Sequence, residues 1–252
     1  MDSDELWAAI DDQRRRTADL LETLTPDQWA HASLCDGWTV RDVAAHLTLQ
    51  QQHVTDALGF FLRHPSLVRS LTLNRVIHRS ARIQATLPTE EIIRRIRASI
   101  GSRRHNAFVS ERETLTDILV HGQDIAVPLG LDLEMPTAAA AEAATRLWQT
   151  RGTWLSRVFL PLPVDGCRLT ATDVAWDVGE GAEVAGPIGA LLLVLTGRSA
   201  LAGQLTGRVP GQAQRGEPPP PRTALHDTRA EGEADQGGAR PSSGGTGTSA
   251  LP

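Results

Sequence analysis

Apolar residues recur at the helical period through residues 1–160 and give way to short alternating runs only after Pro161-Leu162-Pro163. Leu6, Trp7, Ile10, Ala18, Leu20, Leu21 and Leu24 define an amphipathic helix over residues 4–24. Thr25-Pro26 stops it, because the residue before a proline avoids helical dihedrals. A loop through Ser33 to Trp38 leads to Thr39, which forms a capping box with Asp42. The helix that follows is predicted from Val40 to about Phe61, with Val43, Ala44, Leu47, Val54 and Leu58 inward. Pro65 breaks the chain, and residues 66–85 predict a third helix of mixed polarity. Pro88-Thr89-Glu90-Glu91 starts another over 90–106, its acids suited to the positive end of the helix dipole. Ser110 and Glu113 form a second capping box, opening a helix with Leu115, Ile118, Leu119 and Ile125 on its apolar side. Pro128-Leu129-Gly130 ends it, and Thr137 caps an alanine-rich helix over 138–160 that carries Leu147, Trp148, Trp154 and Leu155.

Beyond Pro163 the runs Arg168–Thr172 and Val174–Val178 read as strands, with Gly179-Glu180-Gly181 as a hairpin turn and Ala182–Ala185 as the return. Ile188–Thr196 reads as an apolar helix closed by Gly197. From Gln212 onward Pro, Gly, Ser and charge dominate, a composition unable to build a core. The fold class is therefore mainly α. An up-and-down helical bundle over 1–160 is followed by a small α+β domain over 161–210 and a disordered tail over 211–252.

Charge narrows the partners. A net charge of −5 argues against nucleic acid, which calls for a basic surface. All 25 basic residues are Arg, which reflects coding bias more than mechanism. The longest apolar run, Ile188–Leu195, is shorter than the ~20 residues that cross a bilayer, and the N-terminus lacks the apolar core of a signal peptide. Two distant cysteines, Cys35 and Cys167, do not suggest a disulfide framework. These features predict a reduced, cytoplasmic protein and leave its oligomeric state open.

The candidate chemistry lies on two helices. His46 falls on the apolar side of the helix after Thr39, where a lone histidine is ordinarily a hydrogen-bonded core residue. Asp117 and His121 are one turn apart, so their side chains reach one point. Two imidazoles and a carboxylate can hold a divalent metal, with zinc the usual choice, and leave a fourth position open as in catalytic sites. Asp124, one turn beyond His121, is the candidate partner for an imidazole N–H, against the alternative of a solvated helix-end residue. Gln50 and His53 share the His46 side and are candidate pocket residues. Cys35 lies near a helix start, but with no partner base evident it reads as a loop-packing residue.

The stretches LCDGWTVRDVAAHL, HGQDIAVPLG and ATDVAWDVGEGAEVAGP with LTGR, in that order, resemble the mycothiol-dependent maleylpyruvate isomerase family over residues 5–210. The resemblance implies a DinB-like four-helix bundle joined to a small C-terminal α/β domain. It implies a divalent metal held by His46, Asp117 and His121, with Asp117 standing where the isomerase pattern has glutamate. It further implies mycothiol as cosubstrate and a small electrophile as substrate. The activated thiolate would add to a cis double bond, permit rotation and leave, or would be transferred outright. A non-catalytic metal- or small-molecule-binding module and a metal-dependent hydrolase are the alternatives on the same scaffold.

Overall fold

The computed structural model describes residues 1–51, 73–106, 109–153 and 164–207. Its first helix, α1 (Ser3–Glu22), starts at a capping box between Asp2 and Glu5 and buries Leu6, Trp7, Ile10, Ala18 and Leu21. A single turn and a half, α2 (Pro26–Ala30), opens at a Thr25–Gln28 capping box and seats Trp29 in the core. The loop from Ser33 is closed by the Ser33 amide donating to the Trp38 carbonyl (2.9 Å) and by Gly37 at φ +74°.

Thr39 and Asp42 cap α3 (Val40–Leu47) reciprocally. This helix is shorter than its apolar pattern predicts. Thr48 turns its amide and hydroxyl back on the Ala45 carbonyl, and Leu49 bonds to His46, so the last turn tightens before Gln50. The predicted continuation to Phe61, with Val54 and Leu58, lies outside the described residues. So does the start of the third predicted helix, which is described as α4 (Leu73–Gln84).

Next come α5 (Thr89–Ala98) and α6 (Glu111–Ala126). The former stops eight residues before the predicted end at 106, because Ser99 caps it and Gly101 takes φ +80°. Arg14, fully buried on α1, donates to the carbonyls of Ser99 (2.8 Å) and Ser102 (3.2 Å) beyond that end. A 3₁₀ turn over Val127–Leu129 and Gly130 at φ +65° finish α6. The alanine-rich helix is α7 (Thr137–Gln149); Pro136, not Thr137, takes the cap position, and no side chain caps it. Trp154 and Leu155 lie outside the described residues, as does the tail from 208 onward.

The C-terminal segment corrects one expectation. Its sheet has the order β2-β1-β3, with β1 (Cys167–Ala171) antiparallel to β2 (Asp177–Gly179) and parallel to β3 (Ala182–Gly186). The hairpin joins β1 to β2 through 172–176, where the Ala171 amide meets the Trp176 carbonyl at 2.9 Å. Gly179-Glu180-Gly181 is instead a crossing, at which the Ala182 amide bonds to the Gly166 carbonyl (2.9 Å) and sends β3 along the far edge of β1. The final helix, α8 (Ile188–Leu195), is almost wholly buried. It ends at Gly197, φ +83°.

One apolar core runs through these elements from Leu6 to Leu195. The architecture is thus a helical bundle followed by a small α+β segment, as the patterning predicts. Within it, α6 packs on α1, α3 and α7, while α7 packs on α8. That arrangement brings the end of α3, the middle of α6 and the residues after α8 toward one place. No helix among the described residues is long and apolar enough to cross a membrane.

Candidate metal centre

The Ser110–Glu113 capping box fixes the first turn of α6 and with it the phase of the helix, so Asp117 and His121 present side chains one turn apart. His46 comes from the last turn of α3. Its Nε2 lies 3.5 Å from Asp117 Oδ1, and His121 Nε2 lies 3.3 Å from the same oxygen. The two imidazole centroids are 4.9 Å apart with planes at 78°. Donors placed tetrahedrally at ~2.0–2.1 Å from a zinc ion stand about 3.3–3.5 Å from one another. The chain's own spacing therefore fits a divalent ion, and all three ligand atoms lie within 4.8 Å of one another. Gln50 Nε2 donates to Asp117 Oδ2 at 2.6 Å, which leaves Oδ1 for the imidazoles. His53 lies outside the described residues.

Electrostatics point the same way. Burial alone would raise the Asp117 carboxyl, but the His121 and His46 imidazoles hold it well below the usual carboxylate range. Burial would likewise depress His121, yet Asp117 and Asp124 lift it well above the ordinary imidazole value. His121 thus lies between two carboxylates, Asp124 at Nδ1 and Asp117 at Nε2, a setting that favours positive charge and therefore a cation at Nε2 in place of its proton.

Behind the donors lies a second constellation. Asp124, with no solvent exposure, accepts from His121 Nδ1 at 2.8 Å, which leaves Nε2 as the atom that turns to Asp117 and would serve as ligand once its proton is displaced. The same carboxylate accepts from Arg198 Nε (3.0 Å) and Nη2 (2.8 Å) and from the Cys35 thiol (3.1 Å). Arg198 also donates to the Thr196 carbonyl at 2.6 Å, which ties it to the end of α8. Burial would raise Asp124, but His121 and Arg198 bring it down to about 2. Cys35, His121 and Asp124 also satisfy the spacing of a metal set. Arg198 already neutralises Asp124 there, and a divalent ion beside the guanidinium would be repelled.

His46 is supported differently. Among the described residues its buried Nδ1 has no hydrogen-bond partner. The ring is held by packing against Trp38, whose centroid is 5.4 Å from His46 and 6.4 Å from His121.

Of the residues singled out from sequence, His46, Asp117 and His121 converge, with Gln50 and Asp124 touching them. Two site features escaped sequence reasoning. Cys35 does have an imidazole beside it, with His121 Nδ1 at 3.8 Å. Arg198 closes the site from the far end of the chain. The available signal was physical: a carboxylate on the apolar face of α6 needs a cation, and every cation but histidine in this chain is an arginine.

Residues 10–108 match the family model described as the mycothiol maleylpyruvate isomerase N-terminal domain. That range contains His46 but ends before Asp117 and His121. A crystal structure of a mycothiol-dependent maleylpyruvate isomerase superposes with a TM-score of 0.53 at 12% identity, covering 82% of this chain and 93% of that one. A histidine-to-alanine mutant of that isomerase gives the same values. These structures share the fold. No curated protein matches by sequence.

Proposed function

We propose that this chain, whose residues 10–108 belong to the mycothiol maleylpyruvate isomerase N-terminal domain family, is a metal- and mycothiol-dependent enzyme. Its substrate is a small electrophile, converted by cis–trans isomerisation or by transfer of the thiol. The observation that carries this reading is the approach of His46 Nε2 and His121 Nε2 to one oxygen, Asp117 Oδ1, at 3.5 and 3.3 Å, with all three ligand atoms within 4.8 Å of one another. His46, Asp117 and His121 would hold a divalent ion such as zinc, which when bound would supply the Lewis acidity that lowers the pKa of a thiol toward neutrality.

The chain's own residues do the rest. Asp124 accepts the His121 Nδ1 proton and so fixes the tautomer with Nε2 as donor atom. Arg198 holds Asp124 on two N–H groups and keeps that carboxylate from swinging toward the donors. Gln50 sets the rotation of Asp117. Trp38, only 5% exposed, covers the two rings with an apolar surface, which strengthens the local electrostatics.

The test is metal analysis of the purified chain, followed by incubation with mycothiol and a panel of α,β-unsaturated and alkylating electrophiles under mass spectrometry. The reading predicts about one divalent ion per chain, lost in His46→Ala, and either isomerised substrate or a mycothiol conjugate. A metal-bound protein that binds mycothiol yet yields neither product would remove the enzymatic reading and leave a binding module. Protein that binds no divalent ion at all would remove the centre itself.

A further inference from the structure

Trp38 carries a buried donor with a conditional partner. Its indole Nε1–H donates to His78 Nδ1 on α4, the rings meeting edge to face with centroids 4.8 Å apart. An indole N–H only donates, so this bond requires His78 Nδ1 to be unprotonated and the neutral imidazole to carry its proton on Nε2. Trp38 is buried, whereas His78 is an exposed residue that solvent protons reach. One turn further along α4, Arg82 Nη2 donates to the Gly37 carbonyl at 3.1 Å, so α4 grips the Cys35–Trp38 loop at two adjacent points.

We propose that His78 is a positioning residue of this centre: as a neutral imidazole it anchors Trp38 over His46 and His121, and on protonation it releases the indole.

The chemistry is a swap of roles. When both ring nitrogens carry protons, Nδ1–H faces Nε1–H, two donors meet, and a buried N–H loses its acceptor. Arg82 is permanently charged and keeps its hold on Gly37, so the loop pivots about that bond and does not detach. The groups facing His78 set the pH at which this happens. Partial burial, then Arg82 on its own helix, and His46 on α3 all disfavour the charged ring, and Asp42 on α3 opposes them. The balance places its titration below the ordinary 6.5. Neutral His78 therefore contributes its full stabilisation above 6.5, and that contribution is lost as pH falls from there through the lowered value. The anchoring needs no metal. Its consequence for activity rests on the metal reading above.

The test uses the full chain without metal. The Trp38 indole ¹H–¹⁵N resonance, assigned by its loss in Trp38→Phe, is followed from about pH 8 to about pH 5. It is expected to move from a hydrogen-bonded to an unbonded position with a midpoint below 6.5. His78→Gln, which keeps an acceptor that cannot titrate, is expected to hold the bonded position throughout, and His78→Leu the unbonded one. With zinc added, the affinity ratio of His78→Gln to wild type is expected to rise several-fold toward pH 5, since protonation of the donors themselves cancels in the ratio. An indole resonance that titrates equally in His78→Gln, or that stays still in wild type, overturns the proposal. A shift that follows His78 while zinc fails to bind leaves the anchor standing and removes the metal reading.

Discussion

Replacing Arg198 by methionine keeps the apolar stem and deletes the fork that holds Asp124. In the native arrangement the carboxylate has no solvent exposure and the Arg198 side chain 13%. Two charge-assisted bonds to Asp124 and one to the Thr196 carbonyl disappear. Removing one member of a buried ion pair costs roughly 3–5 kcal/mol, because the survivor is left charged in a poor solvent. Here His121 remains 2.8 Å from Asp124 and can stay protonated to serve it, which places the cost at the lower end, about 3 kcal/mol. For a chain of this size that corresponds to a fall of roughly 6–12 °C in melting temperature. Without Arg198 to share it, Asp124 holds the His121 imidazolium more firmly, so zinc must displace a tighter proton and its affinity should fall roughly 10–100-fold. Urea denaturation followed by far-UV circular dichroism reads the stability, and competition with a chromogenic chelator reads the metal. The double variant Asp124→Asn/Arg198→Met removes both charges and should recover part of the stability, giving a coupling of roughly 1–3 kcal/mol. A loss below about 1 kcal/mol with unchanged zinc affinity would refute the linkage between the C-terminal segment and His121.

Three further outcomes follow from the same geometry. Asp124 is depressed from 3.8 to about 2, so its stabilisation is complete above 3.8 and lost as pH falls through 2, about 2 kcal/mol in all; acid titration of stability in wild type against Asp124→Asn measures it. Gly181→Ala places a Cβ 2.1 Å from the Gly166 carbonyl oxygen at φ +116° and should cost roughly 1–3 kcal/mol in thermal unfolding, whereas Gly130→Ala meets nothing and suffers only its backbone strain. Zinc at about 100 times its dissociation constant should stabilise wild type by roughly 2.7 kcal/mol, an effect reversed by chelator and absent in His46→Ala/His121→Ala.

Local signals carried most of the fold and the first half of the site. Capping boxes at Thr39 and Ser110 depend on residues three apart, and both helices begin where those residues sit. The Asp117–His121 pairing follows from helical geometry alone. What was hidden depends on contacts distant in sequence. α3 tightens after Leu47 through Thr48, although its apolar pattern continues unbroken. β3 chooses the parallel edge of β1 because Gly181 lets the chain pass over Gly166, whereas the Gly-Glu-Gly stretch taken alone reads as a hairpin. Cys35 and Arg198 reach Asp124 from 89 residues before it and 74 residues after it, and no periodicity links them. The Trp38–His78 bond is of the same kind, joining a loop to a helix 40 residues further along the chain.

On the proposed function, His46, Asp117 and His121 would hold a divalent ion that binds the sulfur of mycothiol. Cobalt(II) substituted for the native ion makes this directly visible. Titrating the cobalt protein with mycothiol should produce a sulfur-to-cobalt charge-transfer band in the near ultraviolet, saturating at about one thiol per metal and absent when the ion cannot be loaded in His121→Ala. A cobalt-loaded protein whose spectrum ignores mycothiol, or one whose band survives intact in His46→Ala and His121→Ala alike, would contradict it.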